Sequence, residues 1–150
     1  MNLKRILCAL DLSEHSRHVA IYARDFAKLT GASVIAVYVA PTLTQYTGFR
    51  VPTNTIDSFV GEIVSGAEST MSAFMAEYFK DVDARSQIII GYATEEILAI
   101  AEKEQVDLIV MGTHGRKGID RILFGSVAEM VVKNSACPVL TIRPHDDEDK

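Results

Sequence analysis

Five short stretches of the chain are apolar almost without interruption: residues 5–10 (RILCAL), 33–39 (SVIAVYV), 87–92 (QIIIGY), 108–112 (LIVMG) and 139–143 (VLTIR). Strict alternation of apolar and polar positions would mark a strand with one wet face. Most of these stretches lack it, so they read as parallel strands covered on both faces. Between them, apolar positions recur at helical spacing. Residues 13–29 place Val19, Ala20, Ala23, Phe26 and Ala27 on one stripe and stop at Thr30-Gly31, where glycine suits the left-handed position after a helix. Residues 56–79 carry a core stripe of Phe59, Ile63, Met71, Phe74, Met75 and Tyr78. The third helix opens at Thr94, where TEEILAIAEKE offers a hydroxyl N-cap followed by acids in the first turn. The fourth follows Gly125-Ser126 and ends before NSACP.

Strands alternating with helices predict a single-domain α/β fold: a five-stranded, parallel, doubly wound, Rossmann-like sheet in the order 3-2-1-4-5, with right-handed crossovers. The domain takes residues 1–144, and the acidic run HDDEDK at 145–150 reads as a solvated, disordered tail. Residues 41–55 (PTLTQYTGFRVPTNT) form an irregular loop by their prolines, glycine and hydroxyls. The loop leaves strand two at the end where ligands bind in such sheets.

Composition narrows the class. The 150 residues are 48% hydrophobic and 23% charged, an ordinary globular balance with enough chain for a real core. No apolar run approaches the roughly 20 residues that span a bilayer, and the opening MNLKRILCALDL runs into Asp11 without a small-residue cleavage site. A cytoplasmic protein is expected. The net charge of −5 argues against a partner that is nucleic acid, since phosphate binding by charge alone needs a basic face. Cys8 and Cys137 are too far apart in sequence for a disulfide framework or metal motif and are expected as buried thiols. His15 and His18, three apart, are expected on a solvated helix face rather than as metal ligands.

The chemistry gathers in VMGTHGRKGIDRILFGSVAEMV, residues 110–131. Gly112, Gly115 and Gly125, with Ser126, fit G-x2-G-x9-G-[ST]. Backbone without Cβ can point several N–H groups at one anion, and the helix opening at Gly125-Ser126 adds its free amides, its positive dipole end and a hydroxyl. An ordinary N-cap on a flexible loop is the other reading. The commoner phosphate motifs do not apply: Phe124 rather than Lys precedes Gly125-Ser126, and Asp11-Leu12-Ser13 follows the first strand where G-x-G-x-x-G would sit. In the 3-2-1-4-5 order, strands one and four are neighbours at the switch point, so ALDLSEHS and the glycine loop face each other across one crevice. Asp11 either accepts the hydroxyls of a ribose there or, with Ser13, caps the first helix. Ala9 and Val39, ending neighbouring strands, offer either an apolar slot for a flat base or plain core.

The element order, ALDLS after strand one and MGTHGRKGIDRILFGSVAEMVVKNSACPVLTIRP together resemble the universal stress protein family, over all but the variable loop and the acidic tail. The resemblance is closest to the ATP-binding branch, which that glycine spacing defines. It implies that Asp11 contacts the ribose, that Ala9 and Val39 flank the adenine, and that Met111 and Gly112 lie beside sugar and base. It further implies that Gly115, Gly125, Ser126 and Val127 hold the phosphates, with Mg²⁺ or Mn²⁺ bound through them. His114 is a possible further contact, and Arg116 and Lys117 are solvent-facing charge.

Three functions follow from that resemblance: an ATP-binding regulatory protein, a slow ATPase on the same site, or a stress-response dimer that does not use nucleotide. Hydrolysis wants a residue that orients water and fixed cations on the γ-phosphate, and no spacing fixes such groups here, so binding without fast turnover is expected. The last strand, residues 138–144 (PVLTIRP), is apolar on both faces yet falls at the sheet edge, which predicts a homodimer by twofold antiparallel pairing that buries Val139, Leu140 and Ile142. Pairing of this kind is what family members show.

Overall fold

The structure is a computed structural model and describes residues 2–42, 53–113 and 125–143. The tail at 145–150, residues 43–52 of the irregular loop, and residues 114–124 with His114, Gly115, Arg116 and Lys117 lie outside those residues. The elements run β1 (Arg5–Ala9), α1 (Ser16–Thr30), β2 (Ser33–Pro41), α2 (Thr53–Tyr78), β3 (Ala84–Gly91), α3 (Ala93–Lys103), β4 (Leu108–Gly112), α4 (Ser126–Asn134) and β5 (Val139–Ile142). All four strand pairings are parallel and the order is β3-β2-β1-β4-β5, as expected.

Period-two alternation sorts the strand residues between two cores, one on each face. Ile6, Cys8, Val34, Ala36 and Val110 point to the side of α1 and α2, where they meet Val19, Ala23, Ala67 and Met71. Leu7, Ile35, Val37, Ile109 and Met111 point to the side of α3 and α4, against Ile97, Ile100, Ala128 and Val131. Because both faces are covered, the strands need apolar residues at every position, which is why their sequences do not alternate. Each fully buried aliphatic side chain here contributes about 1.5–3 kcal/mol by transfer from water. Truncating one such as Ile109, which is completely buried, typically costs about 2–5 kcal/mol.

Several expectations shift. β3 begins at Ala84 rather than residue 87, because Val34 to Ala36 of β2 pair with Ala84 to Ser86; the exposed, polar edge residues Arg85 and Ser86 gave no apolar signal. α3 begins at Ala93 after an extended Tyr92, whose carbonyl takes the Glu96 N–H at 2.9 Å; Thr94 is therefore inside the first turn and is not the cap. Phe59, expected in the core stripe of α2, is 52% exposed, while Ile63, Met71, Phe74, Met75 and Tyr78 do pack. Gly31 closes α1 with φ +75° and donates its N–H to Ala27 O, the left-handed turn that its sequence position predicts. Cys8 is wholly buried, and burial pushes its thiol far up, but Cys137 is only half-buried. β5 is an edge strand with Val139 and Leu140 packed on opposite faces, and Ile142 is already buried within the chain.

Candidate functional site

Crossovers leave β1 and β4 in opposite directions, so their carboxyl ends part and open a crevice at the switch point. It holds a cavity of about 430 Å³, within the range of small-molecule sites. One wall is β2. The β1–β2 register ends at Ala9↔Val37, with Leu10 N–H donating to Val37 O at 2.8 Å, while β2 continues to Pro41. In a parallel ladder, alternate residues turn their N–H and C=O to the same neighbour. Val39 therefore turns its backbone pair to the side that β1 has left, and its neighbours Tyr38 and Ala40 turn theirs to β3.

The second wall is the turn after β1. Asp11 Oδ1 accepts three hydrogen bonds: from Ser13 N–H at 2.9 Å, Ser13 Oγ at 2.6 Å and Ser16 Oγ at 2.8 Å. His15 N–H in turn donates to Ser13 Oγ at 3.3 Å. To make this turn, Leu12 takes φ +60°, a left-handed conformation uncommon for a residue other than glycine. A short polar side chain competing for backbone amides in this way delays the helix. α1 accordingly starts at Ser16 rather than residue 13. His15 holds the N-cap position without a side-chain cap bond, and Asp11 with Ser13 shapes the turn ahead of it.

The third wall is the start of α4. Gly125 N–H donates to Thr113 O at 2.6 Å, and Gly125 O accepts the first helical bond, from Glu129 N–H at 3.0 Å. Among the described residues, no side chain caps this end. The amides of Ser126, Val127 and Ala128 thus belong to the first turn, which has no intrahelical acceptors, and they carry the positive end of the helix dipole.

Of the residues singled out from the sequence, Ala9, Asp11, Val39, Met111, Gly112, Gly125, Ser126 and Val127 all line this one cavity. His114 and Gly115 lie outside the described residues. His15 and His18, expected on a solvated face, also line the crevice and are half-buried. Sequence reasoning missed Val37, Ile97 and Thr113. The register partner of Ala9 would have found Val37, and Thr113 stands inside the glycine motif, buried to 6% with its N–H on Ile142 O at 3.0 Å. Among the described residues, no three His, Cys, Asp or Glu side chains converge as a metal cage, and no helix is long and apolar enough to cross a membrane.

The pattern that defines the universal stress protein family matches residues 2–143. Universal stress protein MJ0531 of Methanocaldococcus jannaschii is 37% identical over 153 aligned residues, covering 93% of this chain and 82% of that protein. Among solved structures, hypothetical protein MJ0577 of the same organism superposes with a TM-score of 0.85 at 28% identity, over 98% of this chain and 100% of that one. A universal stress protein from Archaeoglobus fulgidus in complex with dAMP gives 0.68 at 24% identity, over 95% and 99% of the two chains. Another, in complex with cAMP, gives 0.65 at 17% identity, over 97% and 100%.

Proposed function

The chain belongs to the universal stress protein family, and from that premise we propose that it is an ATP-binding regulatory protein whose nucleotide lies in the crevice between β1 and β4. The observation that carries this reading is the convergence on one cavity of Asp11, the open stretch of β2 at Val39 and the start of α4, which no side chain among the described residues caps. A base enters the apolar slot between Ala9, Val37, Val39 and Met111, where the Val39 N–H and C=O match a paired acceptor and donor such as an adenine edge presents. Asp11 receives ribose hydroxyls, with Gly112 beside the sugar. The phosphates meet the Ser126 and Val127 amides and the Ser126 hydroxyl, while Gly125, whose own N–H is on Thr113 O, sets where that helix begins. Gly115 and His114 enter through the motif alone. The dAMP and cAMP complexes of other family members bear on what this fold can hold; the assignment for this chain rests on its own crevice.

A divalent ion fits this arrangement only as a companion of the nucleotide. Asp11 is the one carboxylate among the described residues lining the cavity, and Mg²⁺ is commonly held by one or two carboxylates together with substrate phosphates. Mg²⁺ or Mn²⁺ would be held chiefly through phosphate oxygens and would neutralise their charge. The same reading includes a homodimer through β5, whose outer edge has no strand beyond it among the described residues. The direct test is mass spectrometry of small molecules released from freshly purified protein by denaturation. ATP or another adenine nucleotide is expected at a substantial fraction of the protein concentration. A preparation that carries none and takes up none on addition of ATP with Mg²⁺ overturns the reading.

A further inference from the structure

Resting on the assignment of Asp11 to the ribose, we propose that Ser13 and Ser16 are positioning residues that hold the Asp11 carboxylate for sugar recognition. A carboxylate on a loop rotates freely about its Cβ–Cγ bond, and each reorientation costs affinity when a ligand must find it in one pose. Here one oxygen is fixed before any ligand arrives. Asp11 Oδ1 accepts from Ser13 N–H, Ser13 Oγ and Ser16 Oγ, all within 2.6–2.9 Å. An ionised carboxylate only accepts hydrogen bonds, and three donors on one of its oxygens set its plane relative to the turn.

The two serines act from different directions. Ser13 is half-buried and takes the His15 N–H on its own hydroxyl oxygen, so the turn that presents Asp11 is tied in series. Ser16 is 1% exposed and is one of only two buried polar residues among those described, the other being Thr113 in the same crevice. A hydroxyl buried against α1's apolar face is unfavourable unless it is satisfied, and its bond to Asp11 is what satisfies it. The left-handed Leu12 between them brings Asp11 back over the helix start. Residues 11–16 thus form a small device that orients one carboxylate at the edge of a cavity. The spacing D-x-S-x-x-S is its sequence form.

The test compares ATP with 2′,3′-dideoxy-ATP by calorimetry in the wild type, Ser13→Ala, Ser16→Ala and Ser13→Thr. In the wild type, hydrogen bonds from the sugar to a held carboxylate are expected to favour ATP by about tenfold or more. In Ser13→Ala and Ser16→Ala that ratio should shrink to within about threefold, mainly through weaker ATP binding, since each hydrogen bond lost to a charged group weakens the hold. Ser13→Thr keeps the hydroxyl and should restore the ratio. A merely structural role would weaken both nucleotides alike and leave the ratio unchanged. Should Ser16→Ala unfold, as judged by circular dichroism, the half-buried Ser13 pair carries the test. A discriminating wild type whose alanine variants keep its ratio overturns this inference alone. A wild type that binds both nucleotides equally, or neither, overturns the ribose assignment and the inference with it.

Discussion

Gly125 N–H meets Thr113 O at 2.6 Å, and Thr113 N–H meets Ile142 O at 3.0 Å, so the end of β4 is tied both to the start of α4 and to β5. The helix end proposed to meet the phosphates is therefore located by strand geometry, whatever occupies the crevice.

Gly125 has φ −71° and ψ 163°, extended values open to any residue. Gly125→Val should keep the fold, because the N–H to Thr113 survives, while its side chain crowds the approach to the Ser126 and Val127 amides. ATP affinity is expected to fall by at least about tenfold, and Gly115→Val should act likewise. Undiminished heats of ATP binding in both variants would rule out the glycine cradle.

ATP incubated for hours with stoichiometric protein and Mg²⁺ should remain largely intact by ion-exchange chromatography. Among the described residues the crevice offers Asp11, already tied to two serines, and the half-buried His15 and His18, but no Lys or Arg to clamp a γ-phosphate. Multiple turnovers per minute, abolished in Asp11→Ala or His114→Ala, would place the protein among the ATPases.

Leu140→Lys puts a charge on the half-buried outer strand, and the protein should move towards monomer in light scattering. Since Ile142 is already buried within the chain, the side-chain gain from pairing falls on Val139 and Leu140. A wild type that sediments as a monomer at micromolar concentration would sink the dimer.

Asp107 joins the starts of β4 and β1: its Oδ2 accepts the Lys4 N–H at 2.9 Å and the Arg5 N–H at 3.0 Å. These backbone bonds, Lys4 first, hold its carboxyl below the usual carboxylate range. Because the folded pKa is the lower one, the stabilisation is complete above the unfolded value of about 3.9 and is lost as pH falls through the folded value. Asp107→Ala should melt about a few degrees lower than wild type at pH 7, as loss of charge-assisted bonds in a chain of this size implies. The gap should narrow as pH falls below the unfolded value and close once the folded carboxyl is protonated as well. A gap that is constant from pH 7 to pH 2 would show that the carboxylate charge contributes nothing.

The sheet was legible because a buried parallel strand must be apolar throughout, and five such runs separated by helical spacing admit few other arrangements. The order itself is not written in the runs; given the 3-2-1-4-5 arrangement, ALDLSEHS and the glycine loop fall on one crevice. What escaped was decided by competition between local groups. Asp11 takes the Ser13 amide and both hydroxyls and so delays α1 by three residues, a contest that helix propensity does not register. Edge position let β3 carry the exposed Arg85 and Ser86 directly after its first residue, Ala84. Val37 was invisible as a site residue because it is an ordinary core residue until the register puts it beside the crevice.

β2 outruns β1 by four residues, from Val37 to Pro41, and along that overhang the main chain itself forms the wall. A main-chain donor and acceptor are the same for every residue but proline, which has no N–H. Substitution at Val39 can reshape the slot, yet it leaves that hydrogen-bonding pattern in place. Apart from Val39→Pro, only a change in strand length, lengthening β1 by one more pair or shortening β2, can erase it. Sequence can therefore drift widely around this pocket while its chemical alphabet stays fixed, and a search for descendants that have lost it should count residues between the strands rather than compare the residues themselves.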